Sequence, residues 1–285
     1  MSSRQSLFQQ EVVIGDCWSA LAVVAEACDL SRDELSDAAS KGAVWVRKPA
    51  SGTHQSKPRR VRDIDSAAVP GDTMVVNYNR EVLSARPDLP KLISDQGNYS
   101  VWFKPAGLFS QGSKWGDHCT ITATAQQVHG KRCLLVHRLD RAASGIMLIA
   151  HTKNALTALT SMFEQRKVVK IYQTFVHGNP QWQLPFRIDT AIESKPALTQ
   201  VIESDYFSDK EQTLLKVNIT SGRKHQIRRH LAGEGFPVVG DRLFDSKRVH
   251  ETDLQLMAYQ LQFTCPFNGK SLSFCVDRSL ASKHN

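Results

Sequence analysis

The chain has 285 residues, 41% of them hydrophobic, and a net charge of +8, with a pI of about 9.2. That length suits one large domain with a small appendage, and the hydrophobic share excludes global disorder. The basic surplus favours an anionic partner, since neutralising phosphates releases condensed counterions, although a merely basic soluble surface fits the charge equally well. No stretch approaches the ~18–20 apolar residues that span a bilayer. The opening MSSRQSLFQQEVV lacks the apolar core of a secretory signal, so no membrane partner and a cytoplasmic location are expected. The six cysteines (Cys17, Cys28, Cys119, Cys133, Cys265 and Cys275) make no CxxC pair. They read as apolar thiols, not as zinc ligands or disulfides.

Residues 17–29 (CWSALAVVAEACD) carry apolar residues at helical spacing. Ser31 with Glu34 three places on is a capping-box pattern. It predicts a second helix that closes at Lys41-Gly42, a cation beside a terminating glycine. Ala43–Val46 reads as a strand. A basic, turn-rich insert follows over Arg47–Arg62, with Pro49, Gly52 and Pro58. Val69-Pro70-Gly71-Asp72 then turns the chain into an alternating strand over Thr73–Tyr78. This order resembles the S4 RNA-binding module, where two helices and a short strand precede a Gly-Asp turn and a last strand. Leu30-Ser31-Arg32, Lys41–Val44 and Pro70–Val76 carry the likeness. The insert is longer than the usual S4 turn, and the Asn-Gly that commonly follows the first strand is missing. The resemblance implies an S4-like RNA-binding module over residues 1–80; a generic small α+β cap is the competing reading.

Residues 81–98 read as a linker, because Arg86-Pro87-Asp88-Leu89-Pro90 disfavours helix. Gly97-Asn98 turns the chain into a strand at Tyr99–Phe103. A catalytic domain is expected over residues 99–285, with strands at Ile146–Ala150, Lys170–Val176, Leu214–Ile219 and Leu261–Thr264. Helices are expected at Thr152–Arg166 and His225–Glu234. These are too few strand–helix–strand units for a doubly wound sheet, so the fold class is α+β.

The chemistry concentrates in Leu134–Leu148. An apolar run leads into His137-Arg138-Leu139-Asp140-Arg141, then a Ser144-Gly145 turn, then another apolar run. Cations on both sides of Asp140 favour its ionised form, and an ionised carboxylate serves as nucleophile or base. A surface ion-pair cluster fits these residues equally well.

Four segments in order then resemble the RluA-like pseudouridine synthases. His137-Arg138-Leu139-Asp140-Arg141-Ala142-Ala143-Ser144-Gly145 matches the family's catalytic motif, with Ala143 for the usual Thr. Lys104-Pro105-Ala106-Gly107 matches the turn ahead of it. Lys170-Ile171-Tyr172 matches the Lys-x-Tyr strand, with Thr174 where Ala is common. Gly222–His230 matches the Gly-Arg-Thr-His-Gln-Ile-Arg-x-His segment, with Lys224 for Thr, and runs on into Pro237–Asp241. A looser likeness, Leu254–Ala258, has Met257 where the family often has His.

The resemblance covers about residues 99–278 and implies a mixed, mainly antiparallel sheet and the isomerisation of RNA uridine to pseudouridine. It assigns the catalytic carboxylate to Asp140, as covalent nucleophile or as base on the ribose. Tyr172 would stack on the uracil, and Arg228 would pair with Asp140. Arg138 would hold the place of the displaced uridine. His137, Ser144, Gly145, Lys170, Arg223, His225 and Gln226 would contact substrate. No cofactor or metal is implied, and His225 and His230 lack the spacing of HExxH ligands.

The expected partner is structured ribosomal or transfer RNA, met by a monomer. Arg32, Lys41, Arg47, Lys48, Arg59 and Arg60 are candidate phosphate contacts, with Lys57 and Arg62 beside them; a solvated loop is the plainer reading of this run. Two rivals are carried forward: a non-catalytic RNA-binding protein, motivated by Ala143, Thr174 and Met257, and a hydrolase of small metabolites.

Overall fold

The computed structural model describes residues 6–49, 56–246, 248 and 252–277. Gly52 of the basic insert and residues 278–285 of the expected catalytic domain lie outside them. The chain divides into two compact units, Met1–Arg86 with Gln111–Ala123, and Pro87–Ser110 with Thr124–Asn285. The division departs from the sequence reading, which kept everything after residue 99 together: the stretch after Ser110 folds with the first unit through side chains such as Asp117, which accepts from Arg60 and Arg62.

The first unit contains β1 (Leu7–Val13), α1 (Ala20–Ala27), α2 (Arg32–Ser40), β2 (Val44–Arg47), β3 (Arg59–Arg60), α3 (Ile64–Ala67), β4 (Thr73–Asn79) and α4 (Arg80–Ser84). Its strands form an antiparallel sheet in the order β1-β4-β2-β3. The capping box of α2 is complete. Ser31 Oγ accepts the Glu34 amide at 3.1 Å, and the Glu34 carboxylate accepts the Ser31 amide at 2.9 Å, satisfying helix-end donors. Val24, Leu35, Ala38, Val44, Met74 and Val76 are fully buried between the helices and the sheet.

The second unit is built from β5 (Lys91–Asp95), β6 (Tyr99–Lys104), α5 (Ile121–His129, in this unit from Thr124), β7 (Leu134–Leu135), β8 (Ser144–Ala150), α6 (Lys153–Glu164), β9 (Val169–His177), β10 (Phe186–Ile188), β11 (Thr199–Phe207), β12 (Gln212–Ile219), α7 (Gln226–Gly233), β13 (Leu256–Thr264) and β14 (Ser271–Cys275). The sheet runs β10-β11-β12-β9-β13-β8-β6-β5, with β14 on β13 and β7 on β8. Among the described residues only β13–β8 pairs parallel, so the fold is α+β with a mixed, mainly antiparallel sheet. The linker reading of 81–98 is corrected. Residues 91–95 form β5, an edge strand antiparallel to β6, closed by a turn in which the Gln96 amide donates to Tyr99 O.

β8 is buried along its whole length, which explains its nearly unbroken apolar run. One cluster packs α6 against β6, β8 and β13 through Val101, Ile146, Leu148, Leu159 and Leu261. A second packs α7 against β9, β11 and β12 through Val176, Val201, Leu215, Ile227 and Leu231.

Candidate active site

Asp140 sits in the loop between β7 and β8, and the Lys104–Gly107 turn clamps that loop. Lys104 is fully buried at the end of β6. Its Nζ donates to Pro105 O at 2.9 Å, Leu108 O at 2.8 Å and Arg141 O at 3.3 Å. The Gly107 amide donates to Arg141 O at 2.8 Å. On the other side of Asp140, Ser110 Oγ donates to Leu139 O at 2.7 Å and accepts the Leu139 amide at 2.9 Å. The residues flanking Asp140 are thus fixed by buried hydrogen bonds, which favour one geometry. Burial pushes Lys104 down to about 7, with the Asp140 carboxylate opposing and Arg141 assisting.

α7 delivers the partner. Arg228 Nη1 lies 3.4 Å from Asp140 Oδ2. Its stronger bond is to a second carboxylate: Nε and Nη2 grip Asp241 at 2.7 and 2.6 Å. Asp241 is fully buried and also accepts the amides of Leu243 and Phe244. Burial acts to raise the Asp241 carboxyl, but the bonds and charge of Arg228 and those two amides hold it below the usual range. Burial likewise acts to lower Arg228, and Asp241 first, then Asp140, outweigh it. Arg228 thus lies beside Asp140, as its expected pairing requires, and holds a second carboxylate as well. Asp241 positions the guanidinium, and Asp140 receives its remaining corner. His225 Nε2 is 3.9 Å from Asp140 Oδ1. Burial lowers this imidazole below its ordinary pKa, against the pull of Asp140.

Asp140 opens onto a pocket of ≈ 190 Å³ lined also by Arg138, Leu139, Ala143, Tyr172, Ile219, Arg223, Lys224, His225, Gln226 and Leu256. That is below the ~300–1,000 Å³ of drug-sized sites, so it suits one flat ring. Tyr172 from β9 forms part of the wall, and burial followed by the Asp140 charge pushes its phenol above the ordinary value. Arg138, Arg223 and Lys224 set three cations around the single carboxylate, an arrangement that favours an anionic chain threading past it.

Other expected contacts lie elsewhere. His137 points into the packed interior: its ring stacks on Phe163 at 4.3 Å and its Nε2 accepts the Leu148 amide at 3.0 Å. Burial, assisted by the Lys170 charge, pushes it down to about 3. Lys170 is itself buried and lines no part of the pocket. Ser144 is buried opposite Met257. Gly145 serves packing: at φ +125° it lies against β13, where a Cβ would come 2.3 Å from Ala258 O. None of these four residues lines the pocket that Asp140 opens onto. Gln226 lines the pocket, yet its amide group is fully used, accepting from Ser221 Oγ and the Arg223 amide and donating to Leu198 O and Thr199 Oγ1. It shapes the Gly222–His225 loop.

In the first unit, four of the six candidate phosphate contacts are engaged internally. Lys41 pairs with Asp37, Arg47 with Glu11, Lys48 with the buried Asp72 and Arg60 with Asp117. Arg32 lies over the Trp18 ring at 5.3 Å, and Arg59 is exposed on β3.

The departures from the family motifs are accommodated. Ala143 is buried beside the pocket. Thr174 Oγ1 donates to Gln255 O at 2.7 Å, so its burial leaves no hydroxyl unsatisfied. Sequence reasoning gave no role to Asp241, Lys104 or Ser110. The signals for Asp241 were its place at the end of the family-like Pro237–Asp241 stretch and its carboxylate closing an apolar run.

The fold is that of solved pseudouridylate synthases. Human RNA Pseudouridylate Synthase Domain Containing 1 superposes with a TM-score of 0.57 at 20% identity, covering 70% of this chain and 89% of that one. A family model described as RNA pseudouridylate synthase matches residues 98–233. A protein of Aquifex aeolicus (strain VF5) described as an uncharacterized RNA pseudouridine synthase is 31% identical over 285 aligned residues, covering 87% of this chain and 86% of that one. The Dual-specificity RNA pseudouridine synthase RluA of Escherichia coli (strain K12) is 33% identical over 187 residues, 60% of this chain and 85% of that one. The chain belongs to the RNA pseudouridine synthase family, isomerases that convert uridine to pseudouridine in RNA.

Proposed function

We propose that this chain isomerises uridines in structured ribosomal or transfer RNA, with Asp140 as the catalytic carboxylate and without a cofactor. The observation that carries the reading is Asp140 with both chain neighbours held by hydrogen bonds, beside Arg228 and sharing a cation-lined pocket with Tyr172. The reaction breaks the C1′–N1 bond, turns the base and joins C5 to C1′; the C5 proton leaves and N1 gains one. Asp140 acts as covalent nucleophile or as base on the ribose, Arg228 keeps it charged, and Tyr172 stacks on the ring. Arg138 at the pocket mouth holds the space left by the flipped nucleotide. The first unit, with its S4-like order of elements, adds affinity and target choice and leans toward ribosomal RNA. The enzyme acts as a monomer in the cytoplasm.

A transcriptome-wide pseudouridine map of cells with and without the gene tests this, with wild-type and Asp140→Asn rescue arms. Sites lost on deletion and restored only by the wild type name the substrate. An unchanged map, together with no product on total RNA in vitro, would favour the non-catalytic RNA-binding reading that Ala143 and Met257 motivate.

A further inference from the structure

Within the second unit, three side chains converge from separate segments. Asp95 ends β5, His129 ends α5, and His151 follows β8. One donor atom from each lies within 4.8 Å of the other two. His151 Nδ1 is 2.7 Å from Arg132 O. A carbonyl only accepts, so Nδ1 carries a proton, and in the neutral ring Nε2 keeps its lone pair for a metal ion. That Nε2 is buried and makes no hydrogen bond. His129 Nε2 is also buried without a hydrogen bond, although it lies 3.1 Å from Asp95 Oδ2. The two imidazole rings are 5.5 Å apart. His129 Nε2 has the Asp95 carboxylate as an ion-pair partner, but His151 Nε2, buried beside them without a hydrogen bond, requires an explanation.

We propose that Asp95, His129 and His151 bind one divalent transition-metal ion of the zinc class, at a site separate from the Asp140 pocket. Two neutral imidazole nitrogens and a carboxylate oxygen are a donor set such an ion takes, at bonds of ~2.0–2.2 Å. The Arg132 carbonyl behind His151 is the kind of outer partner that fixes a ligating ring, and the Gly97 amide, 2.9 Å from Asp95 Oδ1, steadies the carboxylate. Small side-chain rotations bring the three donors to bonding distance. The occupant is a cation now held by the site itself: Lys131 Nζ lies 2.5 Å from Asp95 Oδ2. Its side chain is 42% exposed, so it can withdraw into solvent when an ion enters. The bound ion would tie the turn after β5, the end of α5 and the β8–α6 junction together.

The test is titration of chelator-stripped full-length protein with zinc chloride by calorimetry, with cobalt(II) absorption reporting geometry and circular dichroism reporting fold. One equivalent is expected, with imidazole-ligand cobalt bands and a raised melting temperature. His151→Ala and Asp95→Asn should weaken binding ~10-fold or more with the fold intact. Lys131→Ala should tighten it, since the competing cation is gone; a purely structural ion-pair cluster predicts no such gain. No stoichiometric binding to the wild type, or binding unchanged in both His151→Ala and Lys131→Ala, would overturn the proposal.

Discussion

Removing the charge of Asp241 tests the hidden half of the site. Asp241→Asn preserves shape, but Arg228 then loses the negative charge behind its two short bonds and one of the two acceptor oxygens, in a buried place. Asp241 is fully buried and the Arg228 side chain is 9% exposed. Breaking a buried pair by deleting one partner costs ~3–5 kcal/mol. Asn keeps one acceptor oxygen, while its amide hydrogens face either a guanidinium or the Leu243 and Phe244 N–H groups, so the low end, ~3 kcal/mol, is expected. At ~2–4 °C per kcal/mol for a unit of this size, melting falls by ~6–12 °C. Arg228, freed from its grip, moves toward Asp140, and a displacement of ~1 Å in a catalytic group costs ~10²-fold in rate. Tritium release from RNA labelled at uridine C5 reports that rate. RNA affinity should hold, because Asp241 presents nothing to solvent. In Arg228→Met/Asp241→Leu the buried charges are gone together, so stability should recover in part, short of wild type because the Leu243 and Phe244 amides lose their acceptor, while turnover stays lost. Wild-type melting and turnover in Asp241→Asn would refute the positioning role.

Other expectations follow from the same packing. His137 stays neutral in the fold down to about 3, while the unfolded chain takes up a proton near 6.5. Stability is therefore complete above 6.5 and falls as pH drops toward 3, by at most ~1.4 kcal/mol per unit; His137→Gln should flatten this limb in urea titrations across that range. Gly145→Ala combines positive φ with a clash on Ala258 and should cost ~2–4 kcal/mol, read as a lower urea midpoint. Arg32→Ala and Arg59→Ala should each reduce the salt slope of RNA binding by ~1. Lys48→Ala and Arg60→Ala should reduce it less, because their charges already have carboxylate partners; equal slopes for all four would count against that.

The motifs that sequence made legible are short and continuous. The capping box of Ser31 and Glu34, the apolar run of β8 and the Tyr172 strand all formed as their local patterns dictate. What escaped depended on distant pairing. β5 lay hidden behind Pro87 and Pro90 because an edge strand draws its hydrogen bonds from β6, not from its own pattern. Asp241, 13 residues beyond Arg228, has no periodic relation to it, and only the fold turns the two face to face. His137 shows the opposite case: nearness to Asp140 in sequence suggested a shared site, yet its imidazole stacks on Phe163 and accepts the Leu148 amide, away from the pocket lining. The Asp95, His129 and His151 trio is scattered over three segments and matches no ligand spacing.

The central claim is that Asp140 does the chemistry and not the binding. Its most direct test is a single-turnover assay of purified Asp140→Asn beside wild type, on RNA from cells lacking the gene, with affinity measured on the same preparation. No detectable pseudouridine is expected from the variant, with affinity within about threefold of wild type, since Asn retains shape and only the charge is lost. Product formed at a wild-type rate would contradict it.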